Sequence, residues 1–571
     1  MTDLDNFDLK TLANLNYDEL IHLCENIRAY LIEANSKTGG HIGANLGVIE
    51  LTVAMHKVFN SPIDTFVFDT GHIGYTHKIL TGRGHLFPTL NSFGGMNRFI
   101  TPDESNHDII EMSHAGTSLS IGLGLAMSKK KIGNCSHTIS VIGDGSLAEG
   151  IALEALNHIP KEKVNFLIVI NDNSYAISPA YGAIHDHLLS LGKENSTNIF
   201  QNLGFEYSGP IYGHNLPLLI EEFNKYKNAG GLKVIHIKSE KGKGYKPAIC
   251  SPVKMHFSNP FNLETGYPLD PVSRKSIASF ATDAMLEQMV GDEKILTFTA
   301  GTKYATDLDR IAERFPNRCI DPGMSEQHVI SLAVGTALSG MYPIVNYQST
   351  FMQRAYDQMM HDVAFTNKPM MFLLARSGFA GYDNPTHHGI YDFSYLKALP
   401  NVRLIYPANC KRLKQVVKNE IAKKSGPVII CYPYGFEDEY SYKFQPSTTK
   451  DKLLIVTTGN MAGYLQNFKT RQKINDISIF PIENLVPFDE DTLLRYANNF
   501  KAILSVEEGV KRGGINESIS SILFAKNKLT EYKYLALSNS FFPGGSSEEL
   551  REYSGIDART VFDFAKDMLN G

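Results

Sequence analysis

Two short runs, TISVIGDG (138–145) and VNFLIVINDN (164–173), constrain this chain more than any other feature. Each is apolar and rich in β-branched residues, and each stops at Gly, Asp or Asn, the pattern of a buried strand ending at a turn. Between them SLAEGIALEALNHI places its apolar residues at helical spacing. Strand, helix and strand make the βαβ element of a parallel sheet, with helices covering the faces.

The alternation recurs along the chain. YDELIHLCENIRAYLIEAN and LGVIELTVAMHKVF read as amphipathic helices, and LKVIHIKSEKGKGY as a strand running into a Lys/Gly-rich loop. A polar, Pro-containing stretch from Pro247 to Val272 reads as a linker. A helix near Lys275 then precedes the strands KILTFTAG, YPIVNYQ, PMMFLLARSG, VRLIYPA and GPVIICYPYG. The charged FEDEYSYKFQPSTTKDK reads as a second linker, followed by the strands LLIVTTG, ISIFPI, AILSVEEG and YKYLALS. The 571 residues, 43% apolar and 20% charged, suffice for several cores at about 150 residues per domain. The reading is three consecutive doubly wound α/β domains, at 1–270, 271–445 and 446–571.

Lys plus Arg total 55 against 60 Asp plus Glu, a net charge of −5, which argues against a dedicated nucleic-acid or anionic-membrane surface. No apolar run approaches a membrane span, and MTDLDNFDLK is polar and acidic rather than a signal peptide. The six cysteines show neither CxxC nor zinc spacing, so free thiols in a cytoplasmic protein are expected. IGLGLA lacks the third glycine of a dinucleotide-binding turn, and there is no GxxxxGK[ST] loop.

Asp144 ends one strand and Asn173 the next, where open α/β sheets bind ligands. Gly143 and Gly145 allow close approach of a phosphate. A carboxylate, an amide oxygen and a backbone carbonyl would hold Mg²⁺, with diphosphate and water completing the octahedron. An Asp-Gly turn or an Asn cap is common alone; the ordered pair GDG…NDN resembles the thiamin diphosphate motif.

The likeness extends well beyond that motif. SKTGGHIGANLGVIELTVAMHKVFN, DTGHIGYTHKILTGR, NDNSYAIS, KGKGY, SEQH, STFMQRAYDQMMHDVA and PTHHG occur in the order found in the 1-deoxy-D-xylulose-5-phosphate synthase family of transketolase-like enzymes, which the chain resembles from about Leu20 onward. The resemblance implies diphosphate-binding, pyrimidine-binding and transketolase C-terminal domains, a homodimer, and thiamin diphosphate with Mg²⁺ as cofactors. It puts the metal on Asp144, Asn173 and the carbonyl of Tyr175. It puts the cofactor against His72, Ser113, His114, Ala115, Gly145, Ser146, Asn173 and Tyr245, with Phe351 stacked on the pyrimidine. Glu326 would face the aminopyrimidine and favour its imino form.

His41, His256, Asp383 and His387 match catalytic positions near the bound substrate, and Arg354 and Arg376 match positions suited to carboxylate or phosphate. The departures cluster. Ala44 stands where the family has Ser, Asn91 where it has Arg, Gln348 where it has Tyr, and Tyr434 where it has Arg. The segment after Ser178 is also shorter. The implied reaction joins a pyruvate-like 2-oxo acid donor to an aldehyde acceptor that need not be glyceraldehyde-3-phosphate. Ketol transfer from a ketose donor is the second reading, and a non-catalytic scaffold the reading from another class.

Overall fold

The structure, a computed structural model, describes residues 3–194, 196–270, 274–437, 439, 452–527 and 530–570. It divides into two compact units, Met1–Val272 with Pro322–Ser325, and Ser273–Asp321 with Glu326–Gly571.

The first unit is built on β1 (Thr65–Phe68), β2 (Thr138–Gly143), β3 (Phe166–Asp172), β4 (Glu206–Tyr212) and β5 (Leu232–Lys238), all parallel in the order β1-β2-β3-β5-β4. The expected pair is adjacent, with Gly143 level with Asn171. Alternate residues face opposite sides. Ile139, Val141, Leu167 and Val169 join the core beneath helices Tyr17–Thr38, Ile49–Val58 and Leu216–Ala229. Ile142, Phe166, Ile168 and Ile170 pack on the other face under Ser118–Lys131 and Gly150–His158. A sheet covered on both sides needs apolar residues at every strand position, each contributing about 1.5–3 kcal/mol when fully buried.

Helix Tyr17–Thr38 starts with a capping box between Asn16 and Glu19 and stops at Gly39. Gly39 has φ +74°, and a Cβ there would lie 2.5 Å from the carbonyl oxygen of Ser258, so the exit demands glycine. Gly40 and Ser258 then exchange two backbone hydrogen bonds of 2.9 Å. This corrects the linker reading of 247–272. The part described, up to residue 270, is packed into the first unit, with Met255 and Phe261 in its core.

The second unit holds two sheets. One contains β6 (Ile295–Phe298), β7 (Cys319–Ile320), β8 (Tyr342–Gln348), β9 (Met370–Ala375), β10 (Arg403–Ile405) and β11 (Pro427–Tyr432), all parallel. The other contains β12 (Leu453–Thr457), β13 (Ile477–Pro481), β15 (Ala502–Val510) and β16 (Glu531–Leu537). Between β13 and β15 the chain crosses back, and β14 (Asn484–Val486) pairs antiparallel with β10. Phe372 and Ile429 share a core with Val456 and Ile503, so the two sheets are continuous through one apolar layer. The second expected linker lies largely outside the described residues. Three α/β sheets with helices on their faces is the architecture expected. Among the described residues no helix is long and apolar enough to cross a membrane.

Candidate active site

In the first unit Asp144 follows β2 directly and is 5% exposed. Both of its carboxylate oxygens are buried without a hydrogen-bond partner. Burial, and then the charge of Asp172, push its carboxyl up to about 7. Such a group calls for a cation. Asn173, at the end of β3, accepts the Tyr175 N–H at 3.0 Å through its amide oxygen, which keeps a second lone pair. The chain then folds back, Tyr175 bridging to Pro179. Asp144 and Asn173 stand just beyond the ends of the paired strands β2 and β3, with Tyr175 two residues on. A carboxylate, an amide oxygen and a backbone carbonyl are donor types that Mg²⁺ takes with phosphate oxygens and water. Among the described residues no cluster of three His, Cys, Asp or Glu offers a metal site of another kind. Ser146 is buried beside Asp144, and a Cβ on Gly145 would lie 2.7 Å from that of Ala176.

Lys241 and Asp172 escaped the sequence reading. Lys241 donates to the Ala176 carbonyl at 2.9 Å and lies over the Tyr175 ring. Burial pushes its amine down to about 8, opposed by the charge of Asp144. Asp172 is fully buried yet ionised: burial raises its carboxyl, but His236 at 2.9 Å and Lys238 at 2.5 Å bring it below the usual range. The signal was present in NDN and KGKGY, but a second acid beside the first reads as solvated turn polarity until the strands are placed.

Beside these strand ends stands a histidine cluster. The rings of His41, His72 and His256 lie 5.3–5.5 Å apart, centroid to centroid, and His41 also meets Phe257 at 5.2 Å. The Gly40–Ser258 bridge brings the last two in. Asn45, another residue missed, donates to the carbonyls of His41 at 2.8 Å and His72 at 2.7 Å. Burial and then Lys241 drive His72 down to about 4, and burial, Lys241 and His72 drive His256 well below its usual value. Both are neutral at pH 7.

Asp69, at the end of β1, accepts the N–H groups of Gly116 and Ser118, which anchors the turn carrying Ser113, His114 and Ala115. Tyr245 is set differently from the rest. Its hydroxyl donates to the Leu263 carbonyl at 2.9 Å and its ring packs on Phe261, so its polar end is engaged in structure.

In the second unit Glu326 opens helix Glu326–Leu338 and is 4% exposed. Its Oε2 makes no hydrogen bond and lies 3.5 Å from Arg354. Burial raises its carboxyl above the usual range, against the pull of Arg354. Phe351 and Arg354 lie on the turn that follows β8, and Phe351 meets the His387 ring edge-on at 5.6 Å. The Thr350 hydroxyl donates to the Thr386 carbonyl at 2.7 Å, tying that turn to the loop bearing Asp383 and His387. Arg376, at φ +66°, donates to Asp383 at 2.9 Å and stacks on the Tyr434 ring at 4.7 Å. The two groups expected to meet substrate separately are paired with each other. Gln348 is 8% exposed and Tyr434 48%. His388 uses both ring nitrogens, with the Ala380 N–H and the Pro543 carbonyl, so the His387-His388 pair is no metal site.

Residues 5–199 and 192–239 match the family described as 1-deoxy-D-xylulose-5-phosphate synthase, 274–435 the pyrimidine-binding domain of transketolase, and 443–561 the transketolase C-terminal domain. The chain is similar to 1-deoxy-D-xylulose-5-phosphate synthase 1 of Geobacter sulfurreducens, at 36% identity over 97% of this chain and 95% of the relative. It is 34% identical to the synthases of Caldanaerobacter subterraneus and Alkaliphilus oremlandii, over 98% of this chain and 97% of each relative.

Proposed function

Because the chain belongs to the 1-deoxy-D-xylulose-5-phosphate synthase family, we propose that it decarboxylates pyruvate or a close 2-oxo acid and adds the resulting two-carbon unit to an aldehyde. The observation that carries the cofactor assignment is Asp144, whose two buried oxygens lack partners at the sheet end that the motif marks. Asp144, Asn173 and the Tyr175 carbonyl would hold Mg²⁺, and Ser146 with the backbone at Gly145 would line the diphosphate. Bound thiamin diphosphate would supply a nucleophilic thiazolium carbon able to attack the donor carbonyl and stabilise the charge left by loss of CO₂.

The chain's own groups would do the rest. Glu326, buried and unbonded at Oε2, would share a proton with a ring nitrogen of the aminopyrimidine. Neutral His72 and His256 can accept or donate a hydrogen bond without adding charge. His41 would stand with them against the bound substrate; in the second unit His387 would hold or move a proton at an oxygen where alkoxide character develops, and Asp383 would meet an acceptor hydroxyl. All six cysteines are free thiols, which supports a cytosolic setting.

For the acceptor, Asp383 neutralises Arg376 and the Tyr434 ring covers it. A guanidinium already paired with a carboxylate and covered by a ring makes a weak dianion site. This supports an unphosphorylated aldehyde over glyceraldehyde-3-phosphate. The test is mass spectrometry of products from pyruvate or a ketose with a panel of phosphorylated and plain aldehydes, followed by kcat/KM for each. Synthase-level efficiency with the phosphorylated triose would overturn the acceptor reading; product only from ketoses would overturn the donor. Gln348→Tyr with Tyr434→Arg should raise activity on the phosphorylated acceptor.

A further inference from the structure

Arg98 lies in the irregular stretch 91–100, yet its head group is tightly held. Its Nε donates to the side-chain oxygen of Asn91, and Asn91 donates in turn to the Thr38 carbonyl at 2.6 Å. The guanidinium sits 4.4 Å over the Phe257 ring, and Phe257 is 5.2 Å from His41. Tyr75 feels the positive charge of Arg98, and its hydroxyl accepts the His41 backbone N–H at 3.2 Å. The cation therefore stands at the wall of the His41–His72–His256 cluster.

We infer that Arg98 is a substrate-binding residue that supplies this wall with positive charge for an anionic group of a substrate, either the carboxylate of the donor or a phosphate on the acceptor. His72 and His256 are neutral, and the other nearby cation, Lys241, is directed to the Ala176 carbonyl and the Tyr175 ring. Stacking on Phe257 and the bond to Asn91 fix the plane of the fork, which lowers the entropy lost on binding an anion. The arrangement also gives Asn91 a use. Where the family has Arg, this chain has an amide whose oxygen anchors a different Arg, seven residues along. The inference rests on the synthase-like reading above and locates one of its substrate contacts.

The experiment measures KM and kcat of the parent and of Arg98→Gln and Arg98→Lys with pyruvate, a phosphorylated aldehyde and the same aldehyde without phosphate. Isothermal titration of the cofactor-loaded proteins with pyruvate and with inorganic phosphate is run alongside. Loss of one charge-assisted contact should raise KM or Kd for the matching anion by about 10- to 100-fold in Arg98→Gln. Arg98→Lys should fall between, and the neutral aldehyde should be unaffected. A rise confined to pyruvate assigns the carboxylate; a rise confined to the phosphorylated aldehyde and to phosphate assigns the phosphate. Changes below twofold for every anion, or an equal rise for the neutral aldehyde, would overturn the inference. Should Arg98→Gln fail to fold, Arg98→Lys decides alone: unchanged affinity for both anions overturns it. Absence of turnover in the parent would defeat the activity reading, while the titrations would still judge Arg98.

Discussion

Asp392 gives a prediction whose size follows from the structure. The residue is fully buried behind the second unit's candidate site, where the Ser349 hydroxyl lies 2.5 Å from both of its oxygens and the Ser377 hydroxyl 2.6 Å from one. Burial raises its carboxyl to about 7, and the two hydroxyls only partly offset that. The unfolded chain ionises near 3.8. Above that value the unfolded state has released a proton that the folded state retains, so stability falls as pH rises and levels off beyond pH 7. Between pH 5 and pH 8 linkage makes the loss about 2–3 kcal/mol. Asp392→Asn removes the titrating group and keeps an oxygen for one serine. The melting temperature of the variant relative to the parent should therefore climb with pH, by about 4–12 °C from pH 5 to pH 8 at about 2–4 °C per kcal/mol. Thermal melts of both proteins in matched buffers at each half pH unit provide the assay. A parent–variant difference that stays flat across the range would falsify the reasoning, since it would mean Asp392 is already ionised at pH 5.

Thiamin diphosphate with Mg²⁺ should raise the melting temperature of the parent and leave that of Asp144→Ala unmoved, by ligand linkage; a shift retained in the variant would place the cofactor elsewhere. Glu326→Gln should still show the cofactor-induced shift but lose turnover by about 100-fold or more, as expected for a general acid–base group, and parent-level turnover would remove Glu326 from the chemistry. Light scattering should report twice the mass of one chain, and an active monomer would contradict the dimer.

The candidate groups at the strand ends were legible because their chemistry is written in short segments there. GDG and NDN stop two buried strands, and an apolar run ending in an acid announces both the sheet edge and the group it presents. The partners of these groups were not legible. Asn45, Lys241 and Asp172 act through contacts set by chain crossings, and a polar residue inside GANLG or KGKGY has no signature of its own. The linker reading of 247–272 failed for the same reason. Polar, Pro-containing composition describes the segment's own solubility, while Gly40 and Ser258 pair across more than two hundred residues. β14 was invisible because three residues with one buried side chain carry no period to read.

The C-terminal sheet bears on the site through the loop that follows β9. Glu508, at the end of β15, is held by Arg551 at 2.7 Å and accepts the Phe379 N–H at 3.3 Å. A Cβ on Gly378 would lie 2.4 Å from the same carboxylate. The Pro543 carbonyl accepts from His388, and Tyr382 donates to Glu549 at 2.6 Å. Phe379, Tyr382 and His388 are thus tied to residues 508–551, while β14 completes the edge of the neighbouring sheet. The loop bearing Asp383 and His387 is held in part by a stretch of the chain that supplies none of the candidate catalytic groups. Substitutions at Glu508 or Arg551 therefore reach the acceptor side of the site through the backbone of this loop. On the proposed reading such changes should raise KM for the acceptor in steady-state assays and leave the cofactor-induced melting shift intact, since Asp144 belongs to a separate unit with its own core.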